Sequence, residues 1–358
     1  MSELIEHWRE RVRAASAAET PLQLRGGGTK AFYGRTPTGD VLDTRTHRGI
    51  VNYEPTELVV TARAGTPLAE LEALLAERNQ MLAFEPPHFG DGATIGGCVA
   101  AGLSGPRRAT AGAVRDFVLG VKILDGRGEV LSFGGQVMKN VAGYDVSRVV
   151  AGSLGTLGLI LEVSLKVLPR PTAETTLRFA MSETEAIDRL NAWGGQPLPV
   201  SASAWHGGNL TLRLSGAEAA VRAAERKLGG ETLPAAAADS FWRGVREHEG
   251  AHFADAPGTD GVLWRLSLPS SAAPLKLSGQ QLIEWGGALR WLWTDAPART
   301  IRERATSLGG HATLFRGGDR DGEIFHPLAA PLMAIHRRLK NAFDPAGVFN
   351  PGRLYDGL

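Results

Sequence analysis

A chain of 358 residues with 43 % apolar residues can bury a substantial core and, at roughly 100–200 residues per domain, predicts two or three domains. Its 39 basic and 38 acidic residues leave a formal charge of +1 and are mixed throughout, which excludes the basic stripe of a nucleic-acid binder. A single cysteine, Cys98, excludes an intrachain disulfide and an iron–sulfur cluster ligated by this chain alone, and fits a reduced, cytoplasmic compartment.

The N-terminal run MSELIEHWRERVRAA alternates charge with apolar residues and lacks the apolar core of a signal peptide. No stretch approaches the ~18 apolar residues of a membrane span. The longest, Leu154 to Val163, is broken by Gly155 and Gly158. Pro21 to Leu24 is a short apolar segment that runs into Gly26-Gly27-Gly28. Val59 to Ala62 reads as a strand. Thr66 then suits a helix N-cap, with Pro67 first in the helix, Leu68, Leu71 and Leu75 on its apolar face, and an end near Asn79. A second glycine-rich stretch runs from Thr94-Ile95-Gly96-Gly97 through Gly102 and Gly105. Phe117 to Leu124 and Glu129 to Phe133 flank Asp125-Gly126, a hairpin signal. Leu157 to Leu168 is a further strand, and Pro169 and Pro171 mark a boundary after residue 171.

Beyond it, a strand at Leu177 to Ala180 precedes Ser182-Glu183-Thr184-Glu185, a capping-box pattern opening a helix to Trp193. Two strands around Gly207-Gly208 and a helix from Ala217 to Leu228 follow. A similar order returns with strands at Val262 to Leu268 and Ala288 to Trp293, a helix from Pro297 to Leu308 and a strand at His311 to Phe315, with no repeat of identities. This order predicts an α+β layer, a sheet with helices on one face, over residues 172–320. Residues 321–358 hold a last helix, in which Leu332, Ile335, Leu339 and Phe343 line one side and Asp344-Pro345 ends it.

The chemistry lies in the glycine loops. A diphosphate is a compact anion best held by backbone N–H groups that no side chain shields. Arg25-Gly26-Gly27-Gly28-Thr29 offers consecutive unhindered amides, a hydroxyl and a guanidinium, and Thr94-Ile95-Gly96-Gly97 offers a second set. The spacing Gly26-x-Gly28-x-x-Ala31 also fits a Rossmann fingerprint, but that motif must open a helix, and Gly34, Pro37 and Gly39 argue against one. The plain alternative for the triple glycine is a flexible turn.

The motifs RGGGT, TIGG, NVAGYD and GSLGTLG, in that order, resemble the FAD-binding domain of the vanillyl-alcohol oxidase / PCMH superfamily. Within it, PPHFGDGATIGG, AGLSGPRRATAGAVRDFVLG and FGGQVMKNVAGYDVSRVVAGSLGTLG are most similar to the E-subunit family, the FAD-binding subunits of bacterial glycolate oxidases. The likeness is dense over residues 20–171 and resumes at Phe343 to Tyr355. It implies an α+β fold: a two-subdomain PCMH-type FAD-binding domain over 1–171, an inserted α+β, ferredoxin-like cap over 172–320, and a C-terminal segment, 321–358, returning to the first domain. The cofactor would be non-covalent FAD, since the first loop has no histidine and Cys98 is not at the usual attachment position. Cys98 itself reads as a small buried residue. By the resemblance, Arg25, Gly26, Gly27, Gly28, Thr29 and Lys30 would contact the diphosphate. Thr94, Ile95, Gly96, Gly97, Gly102, Leu103 and Ser104 would line the cofactor, and Gly143, Tyr144 and Asp145 would lie near the flavin. Gly152, Gly155, Thr156, Gly158 and Ile160 would form the last cofactor-facing turn. Asn350 and Arg353 would sit close to the isoalloxazine.

Oxidising a 2-hydroxy acid requires a base for the hydroxyl proton and a cation for the carboxylate. Related dehydrogenases present paired histidines in a GDGNLH-like context, whereas Trp205-His206-Gly207-Gly208-Asn209-Leu210-Thr211 has Thr211 at the second position. His326 and Arg316 are the substitutes considered for catalysis. His248-Glu249-Gly250-Ala251-His252 matches the zinc-protease HExxH pattern, but Gly250 and the nearby Pro257 oppose the helix it requires, so no metal site is expected. Trp291 and Trp293 alternate on a strand and fit core or interface packing. The resemblance implies electron transfer to partners: a homologous flavin-containing catalytic subunit and an iron–sulfur subunit, with glycolate or a similar small 2-hydroxy acid as substrate. Peripheral membrane association would then come through the complex. A stand-alone D-lactate or glycolate dehydrogenase and a non-catalytic assembly subunit remain alternatives.

Overall fold

Apolar residues at helical spacing in the first segment (Ile5, Trp8, Val12 and Ala15) form a buried stripe, and the segment folds as the helix Glu3–Ala18. A fully buried side chain of this size contributes roughly 1.5–3 kcal/mol. The stripe packs on Leu42, Leu124, Leu159, Val348 and Phe349, so the first and last parts of the chain share one core. The computed structural model describes residues 3–135, 145–250, 253 and 262–358.

Leu22–Arg25 and Asp40–Asp43 pair in parallel, and Phe349 bridges to Leu22 beside them. Next to this pair lies a five-stranded antiparallel sheet. Its strands run, in spatial order, Ile50–Glu54, Val59–Arg63, Leu159–Lys166, Val118–Leu124 and Val130–Gly134. The Asp125-Gly126 hairpin joins the last two in space, as its residues predict; the Asp125 carboxylate accepts from the Arg127 and Glu129 amides. Two elements differ from expectation. The helix after Val59–Arg63 spans Leu68–Glu77 with Pro67 as N-cap, and Thr66 is not the cap. The Thr66 hydroxyl is buried and accepts from the Gly49 amide at 2.9 Å, so it ties two loops together instead. The glycine-rich stretch at Ile95–Ala101 is a helix capped by the Thr94 hydroxyl. Two glycines in seven residues conceal its propensity, and burial of Ile95, Cys98 and Val99 overrides that deficit. Cys98 is free and buried.

The middle of the chain forms one eight-stranded antiparallel sheet. Its first four strands are Ala173–Ala180, Val200–His206, Asn209–Gly216 and Glu231–Thr232, arranged fourth-first-third-second. The next four are Val262–Ser267, Gln280–Glu284, Leu289–Thr294 and His311–Arg316, arranged second-third-first-fourth. The sheet order is therefore palindromic: two ferredoxin-like halves joined where Val200–His206 pairs with Gln280–Glu284. Helices Glu183–Gly194 and Glu218–Leu228 complete the first half, and Ala298–Ser307 serves the second. The Ser182–Glu185 capping box forms as its residues predict. Strand alternation gives each face a different task. Leu210, Leu212, Leu266 and Leu292 meet the helices, whereas Ala204, Leu282, Trp291 and Phe315 meet Tyr33, Leu103 and Leu154 of the first unit.

Polar contacts lock this cap in place. Glu85 accepts from the Arg107 amide at 2.8 Å and from the Arg213 guanidinium at 2.9 Å. Arg107 reaches Glu174 at 2.8 Å, and the Trp285 indole donates to the Gly105 carbonyl at 3.1 Å. Burial alone would raise the Glu85 carboxyl, but the Arg213 and Arg107 guanidiniums outweigh it and hold the group below its ordinary value.

Candidate functional site

The RGGGT loop leaves Leu22–Arg25 and lines a cleft of about 250 Å³ with Thr94, Gly97, Ala100, Ala101, Leu154, Asn350 and Arg353. No helix follows the loop, so the Rossmann alternative fails on its defining context. Among the described residues, none of the amides of Gly26, Gly27, Gly28, Thr29 and Lys30 donates to another protein atom. The glycines are required by close approach. A Cβ on Gly27 would stand 1.5 Å from the Gly92 carbonyl oxygen, and one on Gly26 would stand 2.4 Å from the Thr94 hydroxyl. Arg25 is exposed at the mouth, its Nε 3.0 Å from where a Gly28 Cβ would sit. Lys30 donates to the His88 carbonyl at 3.1 Å and lies over the Phe89 ring; burial lowers its pKa. A recess of about 70 Å³ continues the cleft past Gly96, Gly155, Gly158 and Ile160 and shares Leu24, Arg25, Gly26, Gly97 and Asn350 with it.

The C-terminal segment builds the walls. Asn350 accepts from the Leu24 amide at 2.8 Å and donates to the Leu154 carbonyl at 2.6 Å. Arg353 is buried and donates to the carbonyls of Ala31 at 2.7 Å, Tyr33 at 2.6 Å and Arg35. Burial, reinforced by Arg320, brings its pKa down to about 10. Both side chains are engaged with backbone, so they fix the segments on either side of the first glycine loop, and Asn350 ties that loop to the turn at Leu154. Beneath them, the Lys340 ammonium donates to Asp344 and the Phe349 carbonyl at 2.7 Å each, and to the Thr156 carbonyl at 2.8 Å.

Other residues expected at the cofactor do not line this cleft. Ile95 is fully buried in the core. Gly102 ends its helix in the left-handed region against the backbone of Gly152, so these two glycines serve a chain crossing. The Thr156 hydroxyl is occupied by the Ser153 carbonyl. Asp145 pairs with Arg148 and Ser147 outside the cleft. Gly143 and Tyr144 lie outside the described residues. The two catalytic candidates are not brought to the cleft. His326 accepts from the Ala312 amide and contacts Thr306, and Arg316 stacks over Phe32 and Phe89. His248 ends the helix Ala235–Glu247 in the left-handed region, so the HExxH pattern is not on one helix; His252 lies outside the described residues. His206 sits at a hairpin end with its ring on the Gln281 carbonyl.

Over 349 residues the chain is 53 % identical to glycolate oxidase subunit GlcE of Escherichia coli (strain K12), covering 98 % of this chain and 97 % of that one. The chain belongs to the glycolate oxidase subunit GlcE family. Residues 3–134 match the FAD binding domain family. It is also 33 % identical over 165 residues to glycolate oxidase subunit GlcD of Bacillus subtilis (strain 168), which covers 45 % of this chain and 35 % of that one. Among solved structures, 4-ethylphenol oxidase from Gulosibacter chungangensis superposes with a TM-score of 0.68 at 14 % identity, over 98 % of this chain and 88 % of that one. Alkyldihydroxyacetonephosphate synthase gives 0.69 at 14 %, over 98 % and 76 %. Those two likenesses show the fold, a PCMH-type FAD-binding fold carrying an α+β cap.

FAD is the cofactor of this GlcE-family chain. The residues present fit it: five successive amides without acceptors among the described residues and an adjacent guanidinium suit a diphosphate, on a loop held so close to Thr94 and Gly92 that neither Gly26 nor Gly27 has room for a Cβ. The apolar end of the cleft, Ala101 and Leu154, backs onto the aromatic cluster of the cap.

In that cluster lies a small pocket, about 20 Å³, which the sequence reading missed. Leu103, Ser104, Arg265, Glu284, Trp291 and Phe315 line it. Leu103 and Ser104, expected at the cofactor, are here. Glu284 is buried, accepts from the Trp291 indole at 2.7 Å and, among the described residues, has no cation within ion-pair distance. Burial pushes its carboxyl up to about 8, with the Trp291 hydrogen bond and Arg265 only partly opposing the shift. The unfolded chain releases this proton near 4.5, while the fold retains it to about 8. The contribution to stability is complete below the lower value and is lost as pH rises through the window, at about 1.4 kcal/mol per pH unit. Glu284→Gln should therefore lie close to wild type in melting temperature at about pH 5 and become relatively more stable towards about pH 8. A constant gap across that range in calorimetry would mean that Glu284 is ionised in the fold. Its signal in the sequence was a lone acid between Ile283 and Trp285 in an apolar strand.

Proposed function

We propose that this chain is the FAD-binding subunit of a multisubunit glycolate oxidase, in which a hydride leaves C2 of glycolate or a similar 2-hydroxy acid for flavin and the electrons pass to an iron–sulfur partner. The observation that carries the reading is the run of amides at Gly26–Lys30 that have no acceptor among the described residues, within a chain 53 % identical to a named glycolate oxidase subunit along almost its whole length. When bound, FAD supplies the hydride-accepting isoalloxazine. The chain's own residues bind and orient. The Gly26–Lys30 amides and Arg25 neutralise and position the diphosphate, Thr94 fixes the helix that forms the opposite wall, and Asn350 and Arg353 brace the segments before and after the first glycine loop. The single cysteine supports placing an iron–sulfur cluster on another subunit. No helix among the described residues is long and apolar enough to cross a membrane, so membrane association belongs, in this reading, to the assembled complex.

The two catalytic candidates from the sequence lie away from the cleft, which favours a division of labour: substrate oxidation needs the companion flavin subunit. Singly expressed protein should be yellow, with FAD released by acid, and should keep its flavin oxidised in anaerobic glycolate until the companion subunits are added. Bleaching by the chain alone would establish a self-sufficient dehydrogenase. A colourless preparation that still supports assembly would establish a non-catalytic subunit.

A further inference from the structure

A second loop touches the RGGGT cradle, and the cap grips that loop with one carboxylate. The segment from Glu85 to Gly92 leads towards the helix Ile95–Ala101 and meets the cradle at three points. The Gly92 carbonyl oxygen occupies the space a Gly27 Cβ would need, and the Thr29 methyl would lie 3.4 Å from a Cβ on Gly90. The Lys30 ammonium donates to the His88 carbonyl at 3.1 Å. Phe89 has a φ of 54°, in the left-handed region, which a bulky residue keeps only when its surroundings over-determine it. Those surroundings centre on Glu247, the last residue of the cap helix Ala235–Glu247. Its Oε2 accepts from the His88 and Phe89 amides at 2.9 Å each, and its Oε1 accepts from the Arg246 guanidinium at 2.6 Å. The Glu247 side chain is only 10 % exposed, and hydrogen bonds to an ionised acceptor are stronger than neutral ones. Among the described residues, no amide between His88 and Gly92 donates to a backbone carbonyl, so the loop is tethered and not self-supporting. The first unit anchors the His88 ring to Glu72 at 3.0 Å, which leaves the backbone at Phe89 to Glu247.

We propose that Glu247 is a positioning residue for FAD: through this carboxylate the cap latches the His88–Gly92 loop against the cradle and so sets how fast the cofactor leaves. This rests on the reading of Gly26–Lys30 as the diphosphate site. With the latch closed, the Gly92 carbonyl confines the Gly27 backbone and the His88 carbonyl holds the Lys30 ammonium. The Gly26–Lys30 amides then keep one alignment before the cofactor arrives, and preorganisation of that kind removes an ordering cost from binding. With the latch open, Phe89 relaxes out of the left-handed region and both contacts loosen with it.

The test is the rate of FAD release from purified holoprotein, followed as the rise of free-flavin fluorescence on dilution. Glu247→Ala should release FAD roughly tenfold faster than wild type, or more. Glu247→Gln keeps an oxygen for the two amides without the charge, and should fall between, about threefold above wild type. Hydrogen exchange on the same samples separates the latch from a general loss of structure. In Glu247→Ala the His88 and Phe89 amides should exchange faster, while those of the strand Leu289–Thr294 keep wild-type protection. A wild-type release rate in Glu247→Ala, or faster release with exchange raised throughout the cap strands, would overturn the latch. If Glu247→Ala does not fold, Glu247→Gln decides, and a wild-type rate there overturns it. Gly27→Ala separates this from the cradle. Stoichiometric FAD in Gly27→Ala would overturn the diphosphate site and the latch together, whereas FAD lost from Gly27→Ala beside a wild-type rate in Glu247→Ala would overturn the latch alone.

Discussion

Gly27→Ala should yield protein that has lost nearly all of its flavin while the cap remains folded. The added methyl would be directed at the Gly92 carbonyl oxygen, 1.5 Å away, with the Gly92 carbonyl carbon at 2.4 Å. Both obstacles are backbone, so no rotamer change relieves the clash and one of the two loops must move. Overpacking of this kind costs about 1–3 kcal/mol, which lowers affinity by roughly five- to 150-fold even before the amides lose their alignment. Gly92→Ala is the matched control. It faces the same gap from the other side, but its Cβ would meet nothing closer than the Gly27 carbonyl oxygen at 3.4 Å. Acid-released FAD per chain, measured by absorbance, should fall sharply for Gly27→Ala and little for Gly92→Ala. Equal and stoichiometric flavin in both variants would mean that this loop is not the diphosphate cradle.

Lys340→Met is expected to be the most destabilising single change in the C-terminal segment. The ammonium satisfies three buried acceptors at once: the Asp344 carboxylate and the carbonyls of Phe349 and Thr156. Removing one partner of a buried ion pair typically costs about 3–5 kcal/mol because the other charge is left uncompensated. The Val348 and Phe349 amides would still donate to Asp344, which moderates the loss. Phe349 precedes Asn350, so the disturbance should reach the cleft wall and reduce FAD retention along with the melting temperature. The double variant Lys340→Met/Asp344→Leu should lose less than the sum of the two single changes, since the stranded charge is then gone. Additive losses in denaturant titrations would show that the pair is not coupled.

Much of the local structure was legible in the residues. Strand alternation, the Asp125-Gly126 hairpin and the Ser182–Glu185 box depend on neighbours a few positions apart, and they form at the expected places. The repeated order of elements in the middle of the chain was also visible. Its consequence, a palindromic eight-stranded sheet, depends on the pairing of Val200–His206 with Gln280–Glu284, which no local pattern announces. The helix at Ile95–Ala101 was hidden by its glycines, and the role of Thr66 was misread because its partner, Gly49, comes from a loop 17 residues away.

The sequence by itself marked the candidate cofactor loop: glycines in RGGGT are an intrinsic permission for backbone to approach an anion, and that permission needs no tertiary context to be read. Which residues actually face the cleft was decided only by the fold. Ile95 turned inward to the core, Ser104 towards the cap, and Asn350 and Arg353 became braces on backbone carbonyls and amides. The physical reason is that a side chain's partners are set by long-range packing: Arg353 meets Ala31 and Tyr33 across more than 300 residues of chain, and Glu284 owes its raised pKa to burial that the whole cap must assemble to create.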